Sequence, residues 1–549
     1  MKRSTAFRLC ALALPAIALL ACSPASEETH APAQVATPSA ADYRAQGLLA
    51  KSLPEIAAAL QSGEVTSEAL VREYLGRIDK IDRAGPTLQA VLALNPDALD
   101  EARAADAKRT AGEALGPLHG VPVLLKDNIE TKDNIATTAG ALALKDNITG
   151  RDSPLAAGLR EAGAIILGKT NLSQWANFRS NSSMSGWSAL GGQVRNPHML
   201  DRNPCGSSSG SGAAVAASLA AGAVGTETNG SIICPSNVNG VVGFKPTVGL
   251  VSQQYIIPIS SSQDTAGPMT KTVKGAAMML NAMATGDAKT DYAAALDENA
   301  LSGARVGVMR FSQGDNADII AHFNKALAAL EAAGASLVEI EEFEPQGENL
   351  GAAAYDLLKY EFKATLNAYL AGSPADIPVR SLEELIAFNE ANADIEQALF
   401  DQSIFEESQA MGGLDDPAYI AARDHVRSAT GENGIDALLA QYDVDILVSP
   451  SGPVASRIDP INGDVWPQWA GAGNLAARAG YPHITVPMGT VHGVPIGFSF
   501  MGARDQDAKV LSYGYAFEQA TKARATPQYL KNAEAREEIA RAMRRRAQD

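Results

Sequence analysis

Residues 203–231 decide the fold of this chain: they read Asn203-Pro-Cys-Gly-Ser-Ser-Ser-Gly-Ser-Gly212, then a small-residue run from Ala213 to Ala223, then Gly225-Thr-Glu-Thr-Asn-Gly-Ser231. Glycine and serine also build flexible linkers. A linker would not be followed at once by small, mostly apolar residues that favour helix. Such a helix can be buried on all sides, with its backbone close to its neighbours. The stretch therefore predicts a buried helix between two polar loops.

The composition of the two loops is typical of a catalytic site. Glycines allow backbone N–H groups to converge on one point, and serines supply hydroxyl nucleophiles or proton relays. A phosphate-binding loop uses the same glycines but ends in Gly-Lys-Ser/Thr. No lysine lies between Arg202 and Lys245. The loops therefore favour catalysis over nucleotide binding.

These motifs resemble those of the amidase signature family, which has a Lys-Asp pair, a Gly-Gly-Ser-Ser-Gly-Gly loop, a helix and a Gly-Thr-Asp-Thr-Gly-Gly-Ser-Ile loop. Here Lys126-Asp127 follows the strand-like Val121 to Leu125, and the two loops occupy residues 205–210 and 225–232. The likeness continues through residues 243–249 and 262–268. It implies an α/β fold, a single large domain with a mixed central β-sheet covered by helices on both faces.

The resemblance also implies a role for each residue of a Ser-Ser-Lys triad. Ser231 is the expected nucleophile, Ser207 the relay and Lys126 the base, with a cis peptide bond between Gly206 and Ser207. A lysine acts as a base only when neutral, and burial lowers its pKa from about 10.4. The expected oxyanion donors are the backbone N–H groups of Thr228, Asn229, Gly230 and Ser231. The family usually has glycine at the position of Asn229.

Two positions bear on the substrate. Many members of the family carry arginine after Gly-Ser-Ile, where this chain has Ile233. Together with the Ser-Gln-Asp-Thr-Ala-Gly-Pro motif at residues 262–268, this makes the chain most similar to the bacterial peptide amidases, which remove C-terminal carboxamides. The resemblance implies hydrolysis of a carboxamide to carboxylate and ammonia or amine through an acyl-enzyme. We expect neutral amides to be preferred over acid amides, and Asp264 to be structural.

Two other functions remain open from the sequence alone. Residues 206–210 also fit the Gly-x-Ser-x-Gly elbow of a Ser-His-Asp esterase, with Ser208 as nucleophile. No clear strand leads into Gly206, which argues against that hypothesis. Four later histidines are available to it: His322, His425, His483 and His492. The third possibility is a non-catalytic lipoprotein that binds amides or peptides.

Residues 1–21 have the layout of a secretory signal peptide. Basic residues precede the apolar segment Leu9 to Leu20, which is short for a membrane span. Leu19-Leu-Ala-Cys22 resembles a bacterial lipobox, which implies cleavage before Cys22 and its acylation. An ordinary signal peptide or an uncleaved anchor is the alternative. We expect a lipid-anchored disordered linker over 22–42 and the amidase signature domain over 43–549, with its core motifs in 115–290.

The predicted location is that of an exported bacterial lipoprotein facing the periplasm. Ser23, directly after the acylated cysteine, favours the outer membrane. The formal net charge of the chain is −17. Nucleic acids and anionic lipid surfaces repel such a body. We therefore expect a small-molecule or peptide amide as the partner, no nucleic acid, and membrane contact only through the lipid. The oligomeric state is open.

Cysteines and histidines suggest neither a metal site nor a cofactor. The chain has no His-x-x-x-His, no paired-cysteine spacing and no dinucleotide-binding glycine motif after a strand. Cys205 and Cys234 each lie within three residues of a proposed catalytic serine. Export permits a disulfide. Two buried thiols are favoured over a bridge, because free cysteine is commonly a buried apolar residue.

Elsewhere the chain predicts one large core, without an internal repeat or a long linker. A strand-helix-strand unit is expected over 304–340, and further strands at 445–448, 483–486 and 496–500. Residues 343–441 read as helical and charged. That stretch could form the far wall of the cleft or serve as a structural cover.

Overall fold

The computed structural model describes residues 40–113, 115–285, 290–345, 347 and 349–544. The chain divides into two units, Met1–Ser39 and Ala40–Asp549. The first unit lies outside the described residues, and with it the predicted signal peptide, Cys22 and most of the predicted linker. Within the described residues, no helix is long and apolar enough to cross a membrane.

The second unit is built around an eleven-stranded mixed sheet, with a separate two-stranded ladder. The strands are β1 (Val91–Leu94), β2 (Pro122–Lys126), β3 (Ile165–Thr170), β4 (Trp187–Ser188), β5 (Gly192–Gln193), β6 (Gly222–Glu227), β7 (Val242–Lys245), β8 (Thr265–Thr270), β9 (Arg305–Met309), β10 (Ser336–Ile340), β11 (Ile446–Pro450), β12 (His483–Val491) and β13 (Val494–Met501). The order in the large sheet is β1-β3-β2-β6-β8-β7-β12-β13-β11-β9-β10.

Helices pack against this sheet, and together the layers form the predicted α/β fold. They are α1 (Leu53–Ser62), α2 (Ser67–Arg77), α3 (Ala98–Thr110), α4 (Pro154–Glu161), α5 (Ser209–Ala216), α6 (Ile233–Asn239), α7 (Val273–Met283), α8 (Ala317–Ala332), α9 (Leu350–Ala371), α10 (Leu382–Ala391), α11 (Ala393–Glu396), α12 (Ser403–Gln409), α13 (Pro417–Thr430), α14 (Ala437–Gln441), α15 (Gly473–Ala479), α16 (Asp507–Thr521) and α17 (Glu537–Met543).

The central strands bring distant parts of the sequence together. β6 is parallel to β2 and antiparallel to β8. β7 joins β8 to β12, so that a hairpin from the C-terminal part of the chain lies in the middle of the sheet. All six residues of β6 are buried. The loops that follow β2 and β6 are therefore fixed to a rigid core.

The strand-helix-strand unit expected over 304–340 is confirmed as β9, α8 and β10, with β10 parallel to β9. The strands expected at 445–448, 483–486 and 496–500 are confirmed within β11, β12 and β13. Residues 343–441 contain helices α9 to α14, as expected.

The prediction for the small-residue run was only partly right. α5 ends at Ala216, and β6 begins at Gly222, so the second half of the run is a turn and a strand. Ser218 takes a left-handed conformation, with φ of 60°, in that turn. Buried alanine and glycine segments do not distinguish helix from strand by composition, since both have backbones packed on all sides.

Candidate active site

Lys126 is the last residue of β2 and is fully buried. Its Nζ donates to Ser207 Oγ at 2.7 Å, to Thr226 Oγ1 at 2.8 Å and to the Thr226 carbonyl at 3.2 Å. Burial lowers the pKa of Lys126 from 10.5 to about 7, against the opposing charges of Asp264 and Glu227. An amine with this pKa can take up and release a proton near neutral pH.

Ser207 precedes α5 in the first serine loop. The Gly206–Ser207 peptide bond is cis, as the resemblance implied. A Cβ atom on Gly206 would lie 2.1 Å from Ser173 Oγ, so only glycine fits at this close approach. The structure thus brings the expected relay and the expected base into direct hydrogen-bond contact.

Ser231 lies in the turn between β6 and α6 and is 8% exposed. The backbone N–H of Ser208 donates to the Ser231 carbonyl at 3.2 Å, which ties the two serine loops together. In the described part of the chain, the Ser231 hydroxyl makes no hydrogen bond. The second link of the expected relay, from Ser231 to Ser207, is therefore not formed in this structure.

The loop before Ser231 presents backbone N–H groups. Among the described residues, the N–H groups of Thr228, Asn229, Gly230 and Ser231 have no hydrogen-bond acceptor. Gly230 has φ of 80°, the left-handed region that favours glycine. Asn229 and Gly230 line a cavity. Free N–H groups aimed at one place are what an oxyanion needs.

Asp264 holds the position of this loop, as expected of a structural residue. Its Oδ1 accepts a hydrogen bond from Thr228 Oγ1 at 2.5 Å. Its Oδ2 accepts from the backbone N–H groups of Ile259 at 2.8 Å and Ser260 at 2.9 Å. Burial raises the pKa of the Asp264 carboxyl to about 6.

Sequence reasoning missed Thr226 and Glu227, although both lie in the quoted loop motif. Thr226 supplies two of the three acceptors of Lys126. Glu227 Oε2 accepts from the backbone N–H groups of Ile232 at 2.7 Å and Ile233 at 3.0 Å, which fixes the turn after Ser231. A threonine and a carboxylate at adjacent positions at the end of a strand were a usable signal of site residues.

The expectation of two free thiols was wrong. Cys205 and Cys234 form a disulfide, with their Cα atoms 5.8 Å apart, and both are buried. The bond joins the loop of Ser207 to the helix that follows Ser231. Their separation of 29 residues concealed this proximity, which arises because β6 returns the chain to the first loop.

A cavity of about 780 Å³ opens onto the serine loops. Gly206, Asn229, Gly230 and Ile233 form its floor, and no lysine or arginine is among its described lining residues. Its side walls carry the aromatic residues Phe311, Phe343, Trp466 and Trp469, and the acids Glu227 and Asp464.

Residues 464–475 form much of this wall, and sequence reasoning missed them. Of the described residues in the helical stretch 343–441, only Phe343 and Pro345 reach the cavity. Phe362 and Leu366 of α9 instead pack in a separate core with Trp175 and Phe178. The helical stretch is thus mainly a structural cover.

The esterase hypothesis built on Ser208 finds no support in the geometry. Ser208 Oγ donates to the Thr226 carbonyl at 3.0 Å and accepts from the Thr226 N–H at 3.1 Å. Ser208 is fully buried. Of the four candidate histidines, His483 is the one that lines the cavity, but its Nε2 pairs with Ser499 Oγ at 2.7 Å. Within the described ranges, no group of three or more His, Cys, Asp or Glu side chains is placed to hold a metal.

Comparison with known proteins identifies relatives along most of the chain. A family model described as Amidase matches residues 69–511. A probable amidase of Arabidopsis thaliana is 37% identical, over 87% of this chain and 91% of its own. The structure of a peptide amidase from Stenotrophomonas maltophilia is 47% identical, with a TM-score of 0.83, over 87% of this chain and 98% of its own. A peptide amidase in complex with the competitive inhibitor chymostatin is 48% identical, with a TM-score of 0.84, over 87% and 99%.

Proposed function

Since the chain belongs to the amidase family and is a hydrolase that acts on amides, we propose that it removes the C-terminal carboxamide of peptides, with Ser231 as the nucleophile. The observation that carries the proposal is the 2.7 Å hydrogen bond from buried Lys126 to Ser207 Oγ. A lysine that can be neutral, a serine bonded to it, and a second serine in a loop tied to the first are the parts of a proton relay.

In the proposed mechanism, Ser231 Oγ attacks the carbonyl carbon of the amide. The proton of Ser231 moves to Ser207 Oγ as the proton of Ser207 moves to Lys126 Nζ. The N–H groups of Asn229, Gly230 and Ser231 stabilise the oxyanion, an effect typically worth about 3–4 kcal/mol for each donor. The relay then returns a proton to the leaving nitrogen, ammonia departs, and water hydrolyses the acyl-enzyme.

The cavity supports a peptide as the acyl part of the substrate. Its volume of about 780 Å³ holds more than a short acyl group. Trp466 and Trp469 lie edge to face, with ring centroids 6.0 Å apart. Since Ile233 and the other described lining residues offer no cation, a free carboxylate beside the reacting carbonyl would be buried without a partner.

The test compares kcat/KM for a peptide C-terminal carboxamide and for a malonamate-like acid amide. We expect the peptide carboxamide to be favoured by about 100-fold or more, because an uncompensated buried charge costs several kcal/mol. Ser231→Ala should abolish turnover and labelling by a fluorophosphonate, and peptide mapping should place the label on Ser231.

Ser208→Ala is the matched control, because Ser208 lies in the first serine loop but, among the described residues, its hydroxyl bonds only to the Thr226 backbone. It should retain turnover. A label on Ser208 would favour the esterase hypothesis, and preference for the acid amide would contradict the peptide substrate.

We also propose that the chain is an exported lipoprotein acylated at Cys22, facing the periplasm from the outer membrane. The support is in the sequence: the basic and apolar leader, the Leu-Ala-Cys boundary and Ser23. Metabolic labelling with palmitate should mark the wild type and not Cys22→Ser. Equal labelling of both, or a chain that keeps Met1 in the cytoplasm, would contradict this proposal.

A further inference from the structure

A second cavity, of about 190 Å³, is lined by four arginines. Arg423 and Arg427 come from α13, Arg478 from α15, and Arg504 from the loop after β13. Ser261 and Ser262 form part of its wall, and none of its described lining residues is acidic. The chain has a net charge of −17, so the positive charge around this cavity is opposite in sign to that of the molecule as a whole.

Arg478 has no counterion in the described part of the chain. Its Nε is buried and makes no hydrogen bond. Burial lowers the pKa of the Arg478 guanidinium, and no acidic group acts in the opposite direction. A guanidinium withdrawn from water without a partner is unfavourable. The unused donors of Arg478 therefore point to a missing acceptor.

The other arginines differ in how far they are neutralised. Arg423 pairs with Asp424, with 2.8 Å between Nη2 and Oδ1. Arg504 lies 3.7 Å from Asp505 and donates to the Val248 carbonyl at 3.5 Å. Arg427 has neither an ion pair nor a side-chain hydrogen bond to any described residue. Two of the four guanidinium groups thus remain available for a ligand.

The acids near the cavity are engaged elsewhere. Glu361 is buried behind Ser262, whose N–H and hydroxyl both donate to its Oε2 at 3.0 Å, and Tyr419 donates to its Oε1 at 2.9 Å. Asp424 and Glu432 line an adjoining cavity that shares Arg427 and Arg504. Among the described residues, these acids thus lie outside the lining of the four-arginine cavity, and none of them pairs with Arg478.

We infer that this cavity is a binding site for a small phosphate-type oxyanion, held by Arg478 and Arg427 with the Ser261 hydroxyl as a further donor. The planar fork of a guanidinium matches the geometry of phosphate oxygens in two parallel charge-assisted bonds. The ligand is either inorganic phosphate or the phosphate group of a small ester. The site is separate from the cavity that opens onto the serine loops, with which it shares no described lining residue.

Calorimetric titration tests this site without reference to amidase activity. The full-length protein, in phosphate-free buffer at constant ionic strength set with chloride, is titrated with inorganic phosphate and separately with glycerol 3-phosphate. We expect saturable binding of one equivalent, and the tighter of the two ligands identifies the source of the phosphate. Arg478→Gln should weaken it about tenfold or more, because charge-assisted bonds to the ion are lost.

Arg478→Lys keeps the charge but lacks the planar guanidinium, and it should bind phosphate with intermediate affinity. It is the test variant if Arg478→Gln folds poorly. Arg83→Gln removes an exposed arginine of the surface pair with Asp79 and should bind as the wild type does. The inference is overturned if neither phosphate compound binds the wild type saturably. It is also overturned if both Arg478 variants bind like the wild type.

Discussion

At the scale of the residue, we expect the proposed base Lys126 to set the pH dependence of the reaction. Burial holds the pKa of Lys126 at about 7, below its ordinary value of 10.5, so the neutral base accumulates as the pH rises through 7. We expect kcat/KM to rise between pH 6 and 8, and Lys126→Met to lower kcat by about 10²–10⁴-fold, the range of a lost general base. At the Lys126 amine, the folded protein also binds fewer protons than the unfolded protein between about pH 7 and 10.5. The contribution of Lys126 to the free energy of unfolding therefore rises with pH in that window.

Lys271→Met is the control for the kinetic prediction, because Lys271 is another buried lysine with a pKa of about 7. Loss of the pH limb in the control, and not in Lys126→Met, would contradict the assignment.

At the scale of the element, we expect the segment 464–475, which is irregular up to the start of α15 at Gly473, to influence which substrates the cleft accepts. Trp469 is 47% exposed and lines the cavity beside Trp466. We expect Trp469→Ala to raise KM about tenfold for peptide carboxamides with apolar residues, since a buried tryptophan contact typically contributes more than 1 kcal/mol to binding. The kcat value should not change, because Trp469 touches none of the reacting groups.

Ile461→Ala is the matched control. Ile461 is an apolar residue of the same loop that is 90% exposed and absent from the cavity wall. An equal rise in KM in both variants would show that the loop acts only through its overall conformation.

At the scale of the whole molecule, the unit Ala40–Asp549 should be sufficient for folding and catalysis. Every residue of the candidate site lies within it. We expect removal of residues 1–39 to leave both kcat/KM and Tm unchanged, as measured by steady-state kinetics and thermal unfolding. Removal through Lys51 should lower Tm, because Lys271 Nζ donates to the carbonyls of Leu49 at 2.7 Å and Lys51 at 2.9 Å. Loss of activity on the shorter deletion would mean that the leader contributes to the enzyme itself.

The parts of the site that sequence predicted are those carried by contiguous motifs. Lys126, Ser207 and the cis bond before it were expected from the family resemblance, and the structure shows the cis bond and the contact between Lys126 Nζ and Ser207 Oγ. Asp264 was likewise placed correctly as a structural residue. Motifs of this kind consist of residues that are close together in the sequence, and the sheet only positions them.

The parts that sequence did not predict depend on tertiary contacts. The disulfide between Cys205 and Cys234 requires knowing that β6 turns back, and the small residues of 213–223 gave no sign of where α5 ends. Trp466 and Trp469 lie more than 200 residues from the serine loops, in a segment without periodicity. Only the position of β12 and β13 in the centre of the sheet brings that segment to the cleft.

The bridge between the two serine loops also has a consequence for biosynthesis. Thiols are kept reduced in the cytoplasm, and disulfides form in compartments outside it. Under the proposed export, a newly made chain would carry Cys205 and Cys234 as separate thiols until transport is complete. The covalent link across the cleft would then be the last step of maturation, made in the compartment where the enzyme first meets its substrate.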